Sequence, residues 1–156
     1  MLFKSATASL LQIHGRYSDF VRRTMASLVE KKVVLSSPPG LQEEDQPIHY
    51  VESIGSKSAT PPVLLFPGVL GTARSDFTPQ LEGLKEKFHL IAMDPPGFGQ
   101  SRPLARTWPE NDVYPTYYHR DAQVADRFMS QSLGHQKYSI IGWSDGGISS
   151  LIMAAL

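Results

Sequence analysis

At 156 residues, with 41% hydrophobic and 19% charged side chains, the chain has the size and composition of one compact domain. A domain of that size buries roughly 70% of its unfolded surface. Fifteen basic residues balance fifteen acidic ones, which excludes a global field for nucleic acid, and the absence of cysteine excludes a disulfide scaffold, a thiolate zinc site and a cysteine nucleophile. No apolar run approaches the roughly 18 residues of a membrane span, so no membrane partner is expected.

The first 29 residues differ from the rest. Lys4, Arg16, Arg22 and Arg23 face one acid, Asp19, among several Ser, Thr and Ala residues. Leu2, Ala6, Leu10, Ile13, Tyr17 and Phe20 recur at steps of three or four, so a helix here is apolar on one face. Basic, hydroxyl-rich, acid-poor and amphipathic is the pattern of a mitochondrial transit segment, and the alternative is an ordinary N-terminal helix or flexible tail. Met25 offers an internal start. The expected location is mitochondrial, otherwise cytoplasmic, with residues 30–156 as the folded domain.

Along that domain, Lys32 to Ser37 holds a short strand, "VVLS", ended by the turn signal "SPPG". "IHYVESIG" reads as a second strand with no clear buried face. "VLLFPG" is an uninterrupted apolar run of strand length, as in a strand covered on both faces. "SDFTPQLEGLKEKF" predicts a helix with Ser75 or Asp76 as N-cap and Leu81 and Leu84 on one side. "FHLIAMD" is another buried strand. An aromatic, Pro-rich stretch, "TWPENDVYPTYY", precedes a helix marked by Ala122, Ala125, Met129 and Leu133, which Gly134 can end. "KYSIIGW" reads as a third buried strand, and "ISSLIMAAL" as a closing helix. Strand and helix in alternation predict an α/β fold with a parallel sheet, and ligands then bind outside the carboxyl ends of the strands. The loops after Phe66, Asp94 and Trp143 are therefore where chemistry is expected.

The strongest motif is Gly142-Trp143-Ser144-Asp145-Gly146, of form G-x-S-x-G. A serine hydroxyl is a useful nucleophile only when exposed and within reach of a base. A strand turning sharply into a helix puts it at the tip of the turn, and the close chain approach there requires small residues two positions before and after. The alternative is a plain strand-to-helix turn with a capping serine. Acyl transfer also needs N–H donors aimed at the developing alkoxide. In this architecture one is the N–H after the nucleophile, Asp145, and the other comes from the loop "PGVLGT". Val69 is the candidate there, with Gly68 letting the backbone approach and Gly71 keeping the loop open. In "DPPGFGQS", a dinucleotide fingerprint would need glycine at 102, where Arg102 stands, so a structural turn beside the site is the better reading.

In this order and spacing, these three pieces resemble the α/β-hydrolase fold superfamily over about residues 48–156. In finer detail, "LLFPGVLGTARSDFTPQL", "DPPGFGQSRP" and "GWSDGGISSLI" resemble the biphenyl-hydrolase-like branch, which includes the valacyclovir hydrolases. The resemblance implies a mitochondrial serine hydrolase of small carboxylic esters, amino-acid esters in particular, needing no cofactor or metal. It makes Ser144 the nucleophile and the Val69 and Asp145 N–H groups the oxyanion hole. It also gives the Asp145 carboxylate the substrate's α-amino group, where a plain reading has it complement a helix N-terminus. Trp143 either lines the acyl pocket or packs under the elbow. Ester substrates are the expected partners; no protein partner is indicated.

One part of the pattern is missing. The order along this fold is Ser, then Asp or Glu, then His. After Ser144 the only ionisable side chain is Asp145. His14, His49, His89, His119 and His135 all come earlier, and His135 should sit at the far end of the Ser144 strand. The expectation is an incomplete α/β-hydrolase domain ending after the elbow, with its C-terminal half missing and little or no turnover. Its last strand would be an unpaired apolar edge, making the chain marginally stable or aggregation-prone alone. The alternatives are a non-catalytic short form acting as a binding module, and a hydrolase of C–C or amide bonds.

Overall fold

The computed structural model describes residues 26–36, 45–54, 60–102, 105, 108 and 114–156. The N-terminal segment read above as a targeting sequence, and His14 within it, lie outside the described residues.

Among the described residues, five strands form one sheet in the order β1-β2-β4-β3-β5: β1 (Ser27–Leu35), β2 (Gln46–Ile54), β3 (Val63–Phe66), β4 (Leu90–Met93) and β5 (Ser139–Gly142). The sheet is mixed. β2 runs antiparallel to β1 and to β4, while β3 runs parallel to β4 and β5, with Leu64 opposite both Ile91 and Ile140. The first strand is longer than "VVLS" suggests, because pairing with all of β2 from Ser27↔Ile54 to Leu35↔Gln46 recruits polar residues of no intrinsic strand pattern.

Three helices among the described residues cover the sheet: α1 (Ala73–Leu84), α2 (Tyr117–Arg127), which runs into a π-helical turn at Phe128–Ser132, and α3 (Asp145–Met153). Gly134, at φ +74°, follows that turn as expected of a helix-ending glycine. α1 starts earlier than predicted, its cap lying three residues before Ser75. Thr72 is the N-cap, its hydroxyl accepting from the Ser75 N–H while the Ser75 hydroxyl accepts from the Thr72 N–H. This reciprocal box satisfies two helix-end donors and leaves Asp76 free for another task.

Alternation along the apolar runs sorts side chains onto two faces. Leu65, Leu90, Ala92 and Val51 pack with Phe77 and Leu81 of α1. Leu64, Phe66, Ile91, Met93, Ile48 and Tyr50 pack on the other face with Val124, Phe128 and Met129 of the second helix and Met153 of α3. β3 and β4 read as unbroken apolar strings because both faces are covered. β5 is not covered in that way. Among the described residues its one strand neighbour is β3, and Ser139 and Ile141 are exposed, so it is the apolar edge expected of the last strand rather than a third buried strand. Exposed Ile148 and Leu151 on α3 extend this apolar margin.

The topology positions the site. From β3 the chain crosses through α1 to β4 on one side, then back through α2 to β5 on the other. Right-handed crossovers in opposite directions put their helices on opposite faces and open a crevice at the carboxyl end of β3. The loops after β3, β4 and β5 meet there.

Candidate active site

Ser144 has φ 52° and ψ −125°, and is the one non-glycine residue with positive φ among the described residues. It stands between β5 and α3 with its side chain exposed and makes no capping hydrogen bond, which removes the capping-serine alternative. A non-glycine residue held in this sparsely populated backbone region costs of order 1–3 kcal/mol, so the surrounding structure must impose it. The Trp143 N–H donates to the Phe66 carbonyl at 3.0 Å, and the Gly146 N–H to the Trp143 carbonyl at 2.9 Å. A Cβ on Gly142 would stand 2.4 Å from the Gly146 oxygen, and one on Gly146 2.2 Å from the Phe66 oxygen. The strand and helix thus close to a spacing that only glycine at 142 and 146 permits.

The loop after β3 lies alongside. A Cβ on Gly68 would sit 3.4 Å from the Ser144 Cβ and 3.7 Å from the Trp143 ring. Gly68 donates its N–H to Asp76 Oδ2 at 2.9 Å and accepts from the Gly71 N–H at 3.0 Å. Among the described residues, the Val69 N–H and the Asp145 N–H make no hydrogen bond to another residue; the latter is the first N–H of α3, which no turn of helix can satisfy. Phe66, Gly68, Val69, Tyr117, Asp145 and Gly146 help line a space of about 10 Å³, the size of one water. Gly71 has a different reason from keeping the loop open: a Cβ there would fall 1.9 Å from Asp76 Oδ2. Asp76, which sequence patterning suggested as a helix cap, instead ties the start of α1 to this loop.

Asp145 faces Ser144, with the serine hydroxyl 3.4 Å from its Oδ2. Its Oδ1 accepts hydrogen bonds from Tyr118 at 2.7 Å and Tyr117 at 3.1 Å. The Tyr118 bond, opposed by partial burial and reinforced by Tyr117, holds the Asp145 carboxyl below the usual carboxylate range. Burial above all, together with its bonds to Tyr118 and Asp145, pushes the Tyr117 hydroxyl well up, so it stays a donor. The two tyrosines were legible only as an aromatic stretch; the sequence carries no signal that they turn onto Asp145. Trp143 is 64% exposed and does not pack beneath the elbow.

The loop after β4 is the structural turn expected of it. Asp94 is buried, its Oδ1 accepting from the Ala73 N–H at 2.8 Å and its Oδ2 from the Gln100 N–H at 2.8 Å, with His49 Nδ1 at 3.0 Å. Ser101 completes the knot, donating to the Asp94 carbonyl and accepting from the His49 N–H. One carboxylate therefore joins β2, the start of α1 and its own loop. The other described histidines are engaged elsewhere: His89 with Glu52 at 2.7 Å, His119 with Thr116 at 2.9 Å, and His135 edge-on to the His89 ring. His89 and His135 precede β4 and β5, at the opposite end of the strands from Ser144.

A larger groove of about 700 Å³ lies along β5 and α3 between Tyr138, Ile140, Leu151 and Met153, and shares no residue with the elbow. Among the described residues, no helix is long and apolar enough to cross a membrane.

Comparison with known proteins places the chain. Residues 61–156 match the family model described as the alpha/beta hydrolase fold. The chain is 46% identical over 94 residues to the serine hydrolase BPHL of Mus musculus and 47% identical over the same length to that of Homo sapiens. Each match takes in 60% of this chain and 30% of the relative's length. Among solved structures, 2-hydroxy-6-oxo-6-phenylhexa-2,4-dienoate hydrolase from Rhodococcus sp. strain RHA1 matches with TM-score 0.64 at 24% identity, over 83% of this chain and 42% of that one. The N-acyl homoserine lactonase AidH matches with TM-score 0.63 at 25% identity, over 83% and 41%. With a family match across more than half its residues and a strained serine at the strand-to-helix turn, the chain belongs to the α/β-hydrolase family.

Proposed function

We propose that the chain carries the acylation half of a serine hydrolase of small carboxylic esters, amino-acid esters foremost. The observation that carries this reading is the exposed Ser144 at φ 52°, beside the N–H groups of Val69 and Asp145, neither of which is bonded to another described residue. Ser144 Oγ attacks the ester carbonyl and gives its proton to a base. The carbonyl oxygen becomes an alkoxide held by the two N–H groups. The alkoxide collapses, the alcohol leaves with a proton, and water later releases the acid from the acyl-serine. Gly68 lets the loop approach, and the Trp143 indole flanks the acyl group. The Asp145 carboxylate beside Ser144 suits a substrate ammonium. The name of the curated relatives, serine hydrolase, supports the reaction class.

The 156 residues hold no histidine after Ser144, and the four described histidines have other partners. The chain alone should therefore acylate slowly and not turn over. The basic, hydroxyl-rich N-terminal composition supports a mitochondrial location. Incubation with an amino-acid 4-nitrophenyl ester tests the reading. The expected result is at most one acyl group per chain by intact mass, absent in Ser144→Ala. Sustained turnover, or acylation unchanged by Ser144→Ala, contradicts it. A second reading, a non-catalytic module that binds a protein partner, draws on the exposed Ile141, Trp143 and Leu151 along one margin. Under that reading Ser144→Ala changes nothing.

A further inference from the structure

The two oxygens of Asp145 have different surroundings. Tyr117 and Tyr118 open α2, Asp145 opens α3, and both phenol hydroxyls donate to the same oxygen, Oδ1. The other oxygen, Oδ2, has the long 3.4 Å contact from the Ser144 hydroxyl as its side-chain neighbour. Two donors on one oxygen favour the ionised carboxylate and fix its rotation. The donors are themselves held, since the tyrosine rings lie 4.1 Å apart.

The other carboxylates near this point already have hydrogen-bond partners. Asp121 of α2 lines the same small space, and its Oδ1 accepts from Arg120 Nε at 3.0 Å and Nη2 at 2.8 Å. Asp76, from α1, accepts the Gly68 N–H. Asp145 is the carboxylate whose second oxygen is turned toward the reacting serine.

We propose that Tyr117 and Tyr118 are positioning residues for substrate recognition: by occupying Oδ1 they turn Oδ2 toward the acyl group on Ser144 and hold it as a fixed anionic acceptor for a primary ammonium. The inference rests on the amino-acid-ester reading above. The same two bonds lower the basicity of Asp145, so it is a poor base for Ser144 and a good partner for a cation.

The test uses the full 156-residue chain and two fluorophosphonates, one carrying a primary ammonium near phosphorus and one its neutral isostere, with imidazole supplied as base. The wild type should label about tenfold faster with the cationic probe, the ratio a charge-assisted contact of 1.4 kcal/mol gives. Tyr117→Phe/Tyr118→Phe keeps both rings and should bring the ratio close to one. In the same variant the Asp145 carboxyl, followed by carbon-13 NMR, should titrate at a higher pH. That second readout does not move if the tyrosines merely pack. A double variant that keeps the wild-type ratio, while Asp145→Asn loses it, overturns the proposal and leaves the amino-ester reading standing. An Asp145→Asn variant that keeps the ratio overturns both.

Discussion

Gly146 and Phe66 meet backbone to backbone: a Cβ on the glycine would stand 2.2 Å from the Phe66 carbonyl oxygen. Neither partner is a flexible side chain, so the helix would have to leave the sheet to admit one. Gly146→Ala should destabilise the chain by about 1–3 kcal/mol through overpacking, and Gly142→Ala similarly. Gly147→Ala is the control. A Cβ there comes no closer than 3.7 Å to the Gly142 oxygen, and the position is helical, so alanine should be neutral or mildly stabilising. Urea midpoints of the three variants check this.

Asp94 organises the floor of the site rather than its chemistry. Asp94→Ala strands the N–H groups of Ala73 and Gln100 and removes the partner of a buried histidine ring. A loss of about 3 kcal/mol or more is expected, larger than for an exposed acid such as Glu82. Thermal unfolding of the two alanine variants side by side decides it.

His135, at the opposite pole, makes stability depend on pH. Burial, and then the neighbouring His89, lower the pKa of His135, with Glu52 acting in the other direction. A folded pKa below the unfolded one means the unfolded chain takes up the proton first. The contribution of neutral His135 is therefore fully present above about pH 6.5, the ordinary histidine value, and lost as pH falls below it toward the folded pKa. His135→Asn should flatten the stability profile in that window. An unchanged slope between pH 5 and 7 contradicts this.

The apolar margin of β5 and α3 should govern the behaviour of the isolated chain. Leu151 is 75% exposed on α3, beside exposed Ile148. Leu151→Lys should leave stability within about 0.5 kcal/mol and reduce aggregation, read by light scattering against concentration. Aggregation unaffected by the substitution would point to a different surface.

Much of this architecture was legible in the residues. The runs "VLLF" and "LIAM" announce strands covered on both faces, and G-x-S-x-G after an apolar strand announces the elbow, because glycine spacing and strain at Ser144 are one geometric requirement. What stayed hidden depends on distant partners. The sequence cannot show that Ser27 and Leu28 join a strand, since β2 supplies their pairing. Thr72 does not stand out as a cap because Ser75 and Asp76 rank above threonine at that position, and only the fold sends Asp76 to Gly68. The apolar run of β5 reads as a buried strand by composition, while its exposure as an edge is legible only from its place as the last strand of the expected topology. Tyr117 and Tyr118 reach Asp145 across 28 and 27 positions of chain, with no periodic signal between.

Site-resolved labelling tests the central proposal, that Ser144 is a nucleophile with no histidine base beside it among the described residues. The chain is treated with a neutral fluorophosphonate at increasing imidazole, and tagged peptides are mapped by mass. The account predicts one tagged residue, Ser144, labelled at a rate that rises with imidazole and vanishes in Ser144→Ala. Tags spread over other serines, at rates the same in Ser144→Ala as in the wild type, would contradict it.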